Sequence, residues 1–136
     1  MYNFKHDIVP ELPDLKYLYT ENMDEAELKN RFDAVTSSDY CVTAWDNDSL
    51  IGMIRSSGDQ NYLQVITDFL VHDDYQSQGI SSRLIRTYFS LTPDVREYLL
   101  VSKSRFQNTY MITWLEHKGF LLRSKEDGMY IFHKKK

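Results

Sequence analysis

The chain has 136 residues, 42% hydrophobic and 26% charged, which fits one soluble domain over residues 1–136. A net charge of −4 gives no call for nucleic acid, whose binders are usually basic, and weakly favours cationic ligands, and the lone Cys41 excludes an internal disulfide or a thiolate zinc site. No apolar run is long enough to span a bilayer and no secretory leader is read, so no membrane association and a cytoplasmic location are expected.

Tyr2 to Val9 reads as a first strand, with Phe4 and Ile8 on one face, stopped by Pro10 and Pro13. Leu12, Leu15, Leu18 and Tyr19 recur at helical spacing. A second helix is expected from Asn22, with Glu25 completing a capping box and Leu28, Phe32 and Val35 as its apolar stripe. Tyr40–Trp45 and Leu50–Arg55 read as strands of a hairpin turning at Asp46–Ser49, and Ser56–Gln60 reads as another turn. Tyr62–Val71 is apolar enough to be a central strand.

A helix over Gly79–Leu91 follows, with Ile80, Leu84, Ile85 and Tyr88 on one face, ended by Thr92-Pro93. Arg96–Val101 is the next strand. Asn108 can cap a helix carrying Met111, Ile112 and Leu115, with Gly119 placed to end it. Phe120–Arg123 and Met129–His133 close as a hairpin around Lys125–Gly128, and Lys134–Lys136 is expected to be a solvated, frayed tail. The order β-α-α-β-β-β-α-β-α-β-β describes an α/β fold with a mixed sheet. The 14% aromatic content, including ten Tyr, suits either a filled core or an aromatic pocket.

The stretch that carries chemistry is Asp68–Arg83, DFLVHDDYQSQGISSR. A central strand enters a loop at Gln76-Ser77-Gln78-Gly79-Ile80-Ser81, and a helix leaves it. Such a loop turns backbone N–H groups towards one point at a helix N-terminus, an anion site suited to a pyrophosphate, and Gly79 lets the ligand approach without a Cβ. Taken alone, the same residues also describe an ordinary strand-to-helix turn.

The segment resembles motif A of the GNAT N-acetyltransferase superfamily, Q/R-x-x-G-x-G/A. Gln76 and Gly79 match, and Ser81 stands where Gly or Ala is usual. Leu50–Arg55 is similar to the family's L-V-G-x-x-R strand, Asp68–His72 to its D-x-x-V-h strand end, and Asn108 with Lys118-Gly119-Phe120 to its penultimate helix. The resemblance covers nearly the whole chain. It implies a mainly antiparallel mixed sheet flanked by helices, and acetyl transfer from acetyl-CoA to a primary amine without a metal. It also implies two central strands splayed at a bulge, where the pantetheine arm pairs with backbone groups of Leu70 and Val71. A backbone N–H near Phe69 or Leu70 would polarise the thioester carbonyl. The loop Gln76, Ser77, Gln78, Gly79, Ile80, Ser81 and Ser82 would hold the pyrophosphate, and Asn108 would touch the CoA arm or serve as a plain helix cap.

An alkylamine is mostly protonated at neutral pH and must lose a proton before it attacks. Asp68, a carboxylate on an otherwise apolar strand, is the candidate general base; the competing reading is a structural Asp bonded to its neighbours or to Arg55. The family's general-acid tyrosine, seven residues after the asparagine, is here Leu115, and Tyr110 faces elsewhere by helical phase. Water would then protonate the leaving thiolate. Cys41 reads as a core thiol rather than a nucleophile. His72 beside Asp73 and Asp74 has too few companions for a metal site. Arg55 reads as a surface or structural ion pair, or as an anchor for an acidic substrate group or a subunit contact.

Three functions are in play: an amine acetyltransferase, a non-catalytic acyl-CoA-binding or regulatory domain, and a protein-interaction domain. The anion-binding turn counts against the third. Glu21, Asp24 and Glu25 hint at a cationic small-molecule or protein amine, or are solvated helix-start charges. A homodimer is consistent with the resemblance.

Overall fold

The computed structural model describes residues 2–20, 23–103 and 109–136. The elements are β1 (Asn3–Lys5), α1 (Leu12–Leu18), α2 (Glu25–Thr36), β2 (Tyr40–Asp46), β3 (Ser49–Asp59), β4 (Leu63–Val71), α3 (Ile80–Leu91), β5 (Glu97–Lys103), α4 (Thr109–His117), β6 (Leu121–Glu126) and β7 (Met129–Lys135). The strands form one sheet in the order β1-β2-β3-β4-β5-β7-β6. Every neighbouring pair is antiparallel except β4 and β5, whose connection runs through α3. The expected mixed, mainly antiparallel α/β architecture is what forms. Among the described residues, no helix is long and apolar enough to cross a membrane.

Period-two alternation in the central strands makes two cores. Val42, Ala44, Ile51, Ile54, Ile66 and Val71 face α3 and α4, against Ile80, Leu84, Ile85, Tyr88 and Leu115. Trp45, Leu50, Met53 and Leu70 face α1 and α2, against Leu15, Leu18, Tyr19, Leu28 and Val35. Much of the tyrosine content belongs to the first core. Tyr88 and Tyr98 are fully buried, their hydroxyls bonded to Ser56 Oγ at 2.7 Å and to the Thr92 hydroxyl at 2.8 Å.

Several boundaries differ from the sequence reading. The first strand stops at Lys5, where its pairing with Thr43 ends, and Ile8 and Val9 are left exposed. Helix α2 is capped by Asp24, whose carboxylate accepts the Glu27 N–H at 2.7 Å; Asn22 lies outside the described residues. Ser56 to Asp59 is strand rather than turn: polar side chains are tolerated because Ser56–Asp59 pair with Leu63–Ile66, and the buried Gln64 side chain is held by Ser56, Asp39 and Gln60. The closing hairpin is longer than expected and turns on Asp127 and Gly128, both at positive φ. Two of the C-terminal lysines, Lys134 and Lys136, are pinned rather than frayed, and Lys135 stays largely exposed. Lys136 Nζ donates to the Thr92 and Pro93 carbonyls at 2.6 and 2.8 Å, capping the end of α3, and Lys134 lies over the Phe89 ring.

Candidate active site

The site begins with one extra residue in β4. Arg55 pairs with Asp68 but Ser56 pairs with Ile66, so Thr67 is a bulge. It inverts the alternation: Ile66 faces α3 and α4, whereas beyond Thr67 that face is taken by Val71 and Leu70 turns to α1 and α2. The parallel ladder between β4 and β5 ends at Ile66 and Leu100, while β5 continues beside β7 to Lys103. The two central strands therefore part beyond the bulge.

Backbone polarity along the parted edge follows from one bond. His72 N–H donates to the Ile51 carbonyl at 2.7 Å, so by antiparallel alternation Leu70 and Asp68 also bond to β3. Phe69 and Val71 turn their backbone groups to the open side. This corrects the expectation for Leu70, whose N–H and carbonyl belong to the β3 ladder; Phe69 and Val71 are the pair that can accept an added strand-like ligand. The Val71 carbonyl already receives the Gln76 Nε2 at 2.7 Å, which ties the loop to the strand end.

After a short 3₁₀ turn, Asp73–Tyr75, the chain enters the loop with Ser77 at φ 63° and Gly79 at φ 77°. Gly79 is the N-cap of α3 and supplies no side-chain cap. The first intrahelical bond is Arg83 N–H to the Gly79 carbonyl, leaving the N–H groups of Ile80, Ser81 and Ser82 without a helical partner. A Cβ at Gly79 would meet nothing within 4 Å, so the glycine faces open space. No acidic residue stands in the first turn to oppose an anion.

A groove of about 660 Å³ runs along this edge. Phe69, Leu70, Val71, Gln76, Ser77, Gly79, Ile80, Ser81 and Ser82 all line it, as do Tyr75, Met111 and Trp114. Gln78 does not; its side-chain oxygen accepts from the Tyr2 hydroxyl. Asn108 lies outside the described residues. A second cavity, about 50 Å³, shares Phe69, Leu70 and Met111 with the groove and reaches through the parted strands to Tyr19, Arg31 and Asp68 on the α1/α2 side.

Asp68 is buried and heavily bonded. Arg55 Nε donates to Oδ2 at 2.7 Å, and Arg31 Nη1 and the Tyr19 hydroxyl donate to Oδ1 at 3.0 Å each. Arg55 is fixed further by the Ala34 carbonyl and Ser38 Oγ, so it is a structural partner. Burial, then the Asp68 carboxylate, pushes the Tyr19 phenol far up, and it remains a donor. Tyr75 is likewise pushed up by its bond to Asp46 at 2.9 Å. Cys41 is half-buried, and burial pushes its thiol up to about 11, unsuited to a nucleophile. His72 Nδ1 accepts the Asp74 N–H at 3.1 Å, and its ring stacks on Tyr17 at 4.4 Å. Leu115 is buried beside the small cavity, whose one described phenol is that of Tyr19, bonded to Asp68.

Sequence reasoning missed Thr67, Tyr19, Arg31 and Trp114. Arg31 did leave a signal: it falls at i+3 from Leu28 and four before Val35, a cation on the apolar stripe of α2. Trp114, on α4, packs against Phe69 with centroids 5.8 Å apart. Nothing in the composition around Thr67 announces a bulge.

Residues 8–110 match the family model described as the acetyltransferase (GNAT) domain. No curated protein matches the sequence. Solved structures share the fold at low identity. The PH1933 protein of Pyrococcus horikoshii superposes with a TM-score of 0.81 at 16% identity, covering 100% of this chain and 99% of that one. A GNAT family protein of Streptococcus pneumoniae gives 0.74 at 23%, covering 90% and 89%. A GNAT family acetyltransferase of Elizabethkingia anophelis with acetyl-CoA bound gives 0.72 at 14%, covering 99% and 98%.

Proposed function

The chain belongs to the GNAT acetyltransferase family, and from that premise we propose that it transfers the acetyl group of acetyl-CoA to a primary amine of a small molecule or protein. The reading is of a cytoplasmic enzyme acting by direct attack within a ternary complex. The observation that carries it is the open edge of β4 running into the uncapped N-terminus of α3. A strand-like arm and a pyrophosphate are the two groups those neighbouring features can satisfy. The acetyl-CoA held by the Elizabethkingia neighbour supports the donor.

When bound, acetyl-CoA supplies an activated thioester. Phe69 and Val71 would pair with its arm, and the Phe69 N–H, on the open edge, would polarise the carbonyl. The Ile80, Ser81 and Ser82 N–H groups would hold the pyrophosphate in the space Gly79 leaves free. The amine would enter from the α1/α2 side through the small cavity. Asp68 uses three of roughly four acceptor positions on its own donors, so one remains to receive the amine proton, directly or through water. With Leu115 where a phenol would stand, water protonates the departing thiolate.

Asp68→Asn tests this reading. The expected result is a fall of about 10² in kcat near neutral pH that narrows as pH approaches the amine's own pKa of about 10. A loss that stays constant with pH would remove Asp68 from proton transfer. A second reading, a non-catalytic acyl-CoA-binding domain, is favoured by Leu115 and by the ion pairs that occupy Asp68. CoA release with a panel of amines separates the two, since a binding domain releases none.

A further inference from the structure

We propose that the acceptor carries a carboxylate close to its amino group, and that Arg31 selects it; this rests on the acetyl-transfer reading above. Of the described side chains lining the small cavity, the charged ones are Arg31 and Asp68. Behind them stands Arg55, its side chain 8% exposed, with Nε on Asp68 Oδ2 at 2.7 Å and Nη1 on Ala34 and Ser38. The carboxylate of Asp68 is thus balanced by Arg55 within the protein. Arg31 is left as a positive charge in excess.

Arg31 is also the member of the trio that reaches the opening, with its side chain 20% exposed against 5% for Asp68. Its Nη1 is committed to Asp68 at 3.0 Å, and the guanidinium lies over the Tyr19 ring at 5.5 Å. Among the described residues, Nε and Nη2 of Arg31 make no hydrogen bond. Those two donors form one edge of a planar fork, the geometry that receives a carboxylate through two parallel bonds. The Tyr19 phenol stays protonated and adds no negative charge.

A plain ammonium would meet this excess cation and be repelled. A zwitterion matches it in both parts: its carboxylate meets the free edge of Arg31, and its amino group lies towards the remaining acceptor position of Asp68. The remaining position is on Oδ2, since Oδ1 already receives Arg31 Nη1 and the Tyr19 hydroxyl, so amine and acid sit on either side of the Arg31–Asp68 bond and the pair reads the spacing between them as well as the charges.

The test compares kcat/KM for amines in matched pairs differing by one carboxylate: alanine with ethylamine, phenylalanine with phenethylamine, lysine with cadaverine. The wild-type chain is expected to favour an acid member by about tenfold or more, expressed mainly in KM. Arg31→Gln should bring that ratio close to one, and Arg31→Lys should restore part of it. A merely structural arginine predicts that Arg31→Gln slows both members alike and preserves the ratio, which overturns the assignment. A wild type that prefers neither member overturns it too. Turnover of no amine at all, with acetyl-CoA binding intact by calorimetry, removes the acetyl-transfer reading itself and this inference with it.

Discussion

Cys41 on β2 and Asp68 on β4 flank Arg55 of β3 from either side, and burial does opposite things for them. Asp68 is buried because three donors meet it, and Arg55 is left without its carboxylate if Asp68 becomes Asn. Beyond its kinetic effect, Asp68→Asn should therefore cost about 3 kcal/mol in urea unfolding, as expected when one partner of a buried ion pair is removed. Among the described residues Cys41 has no such hydrogen-bonding partner, and burial raises its thiol from an ordinary 9.0 to about 11. A raised folded value favours the protonated form. The stability this confers is fully present below pH 9 and is lost as pH climbs to about 11. Alkylation by iodoacetamide should accordingly be slow at pH 8 in the native protein and accelerate up to about pH 11, while the unfolded chain reacts several-fold faster at pH 8. Cys41→Ala should keep acetyl transfer, and mass spectrometry should find no acetyl group on Cys41; an acetylated thiol there would contradict direct attack.

Two glycines separate the roles of two elements. Gly79 begins α3 in the left-handed region with open space around it, so adding a side chain strains the backbone by about 1–2 kcal/mol and fills the proposed anion site. Gly79→Val should abolish measurable acetyl-CoA binding in calorimetry while helical circular dichroism persists, and Gly79→Ala should weaken it by a smaller factor. Gly58 sits in the β3–β4 hairpin, where a Cβ would meet the Leu63 carbonyl at 2.3 Å. Gly58→Ala should cost about 1–3 kcal/mol of stability through overpacking and leave the affinity of the folded protein unchanged. The loop with Gly79 was legible in the sequence because glycine, a preceding apolar strand and a following amphipathic helix are local signals. The partners of Asp68 were not, apart from Arg55: Tyr19 and Arg31 come from 49 and 37 residues away, and no local pattern records such meetings. Gly58 was read as part of a turn because Ser56 to Asp59 are polar, and only pairing with β4 makes them strand.

Taken whole, the molecule is a sheet with a seam, two cores lying on either face and a ligand-sized opening where β4 and β5 part. A ligand bound along that seam should knit its two sides together. At a free concentration of 100 times Kd, acetyl-CoA should add about 2.7 kcal/mol to unfolding and raise Tm by roughly 10 °C in calorimetry, without added metal. The element order and the two-faced burial pattern were readable because period-two strands and amphipathic helices repeat over many residues. The pinned C-terminus was not, because three lysines look solvated until the carbonyls at the end of α3 are seen to lie within reach of Lys136. Thr67 has a consequence of another kind. It is passed over by the β3 ladder: every side chain downstream faces the way it does because one residue upstream is uncounted. Deleting Thr67 would leave Asp68 directly after Ile66, still opposite Arg55 and with every downstream face kept, and would remove only the bulge at which β4 turns away from β5. The seam would close, and acetyl-CoA binding should vanish with it, whereas Thr67→Ala, which keeps the count, should leave affinity near that of the wild type. For this protein, the length of one strand is as much a part of the candidate active site as any side chain in it.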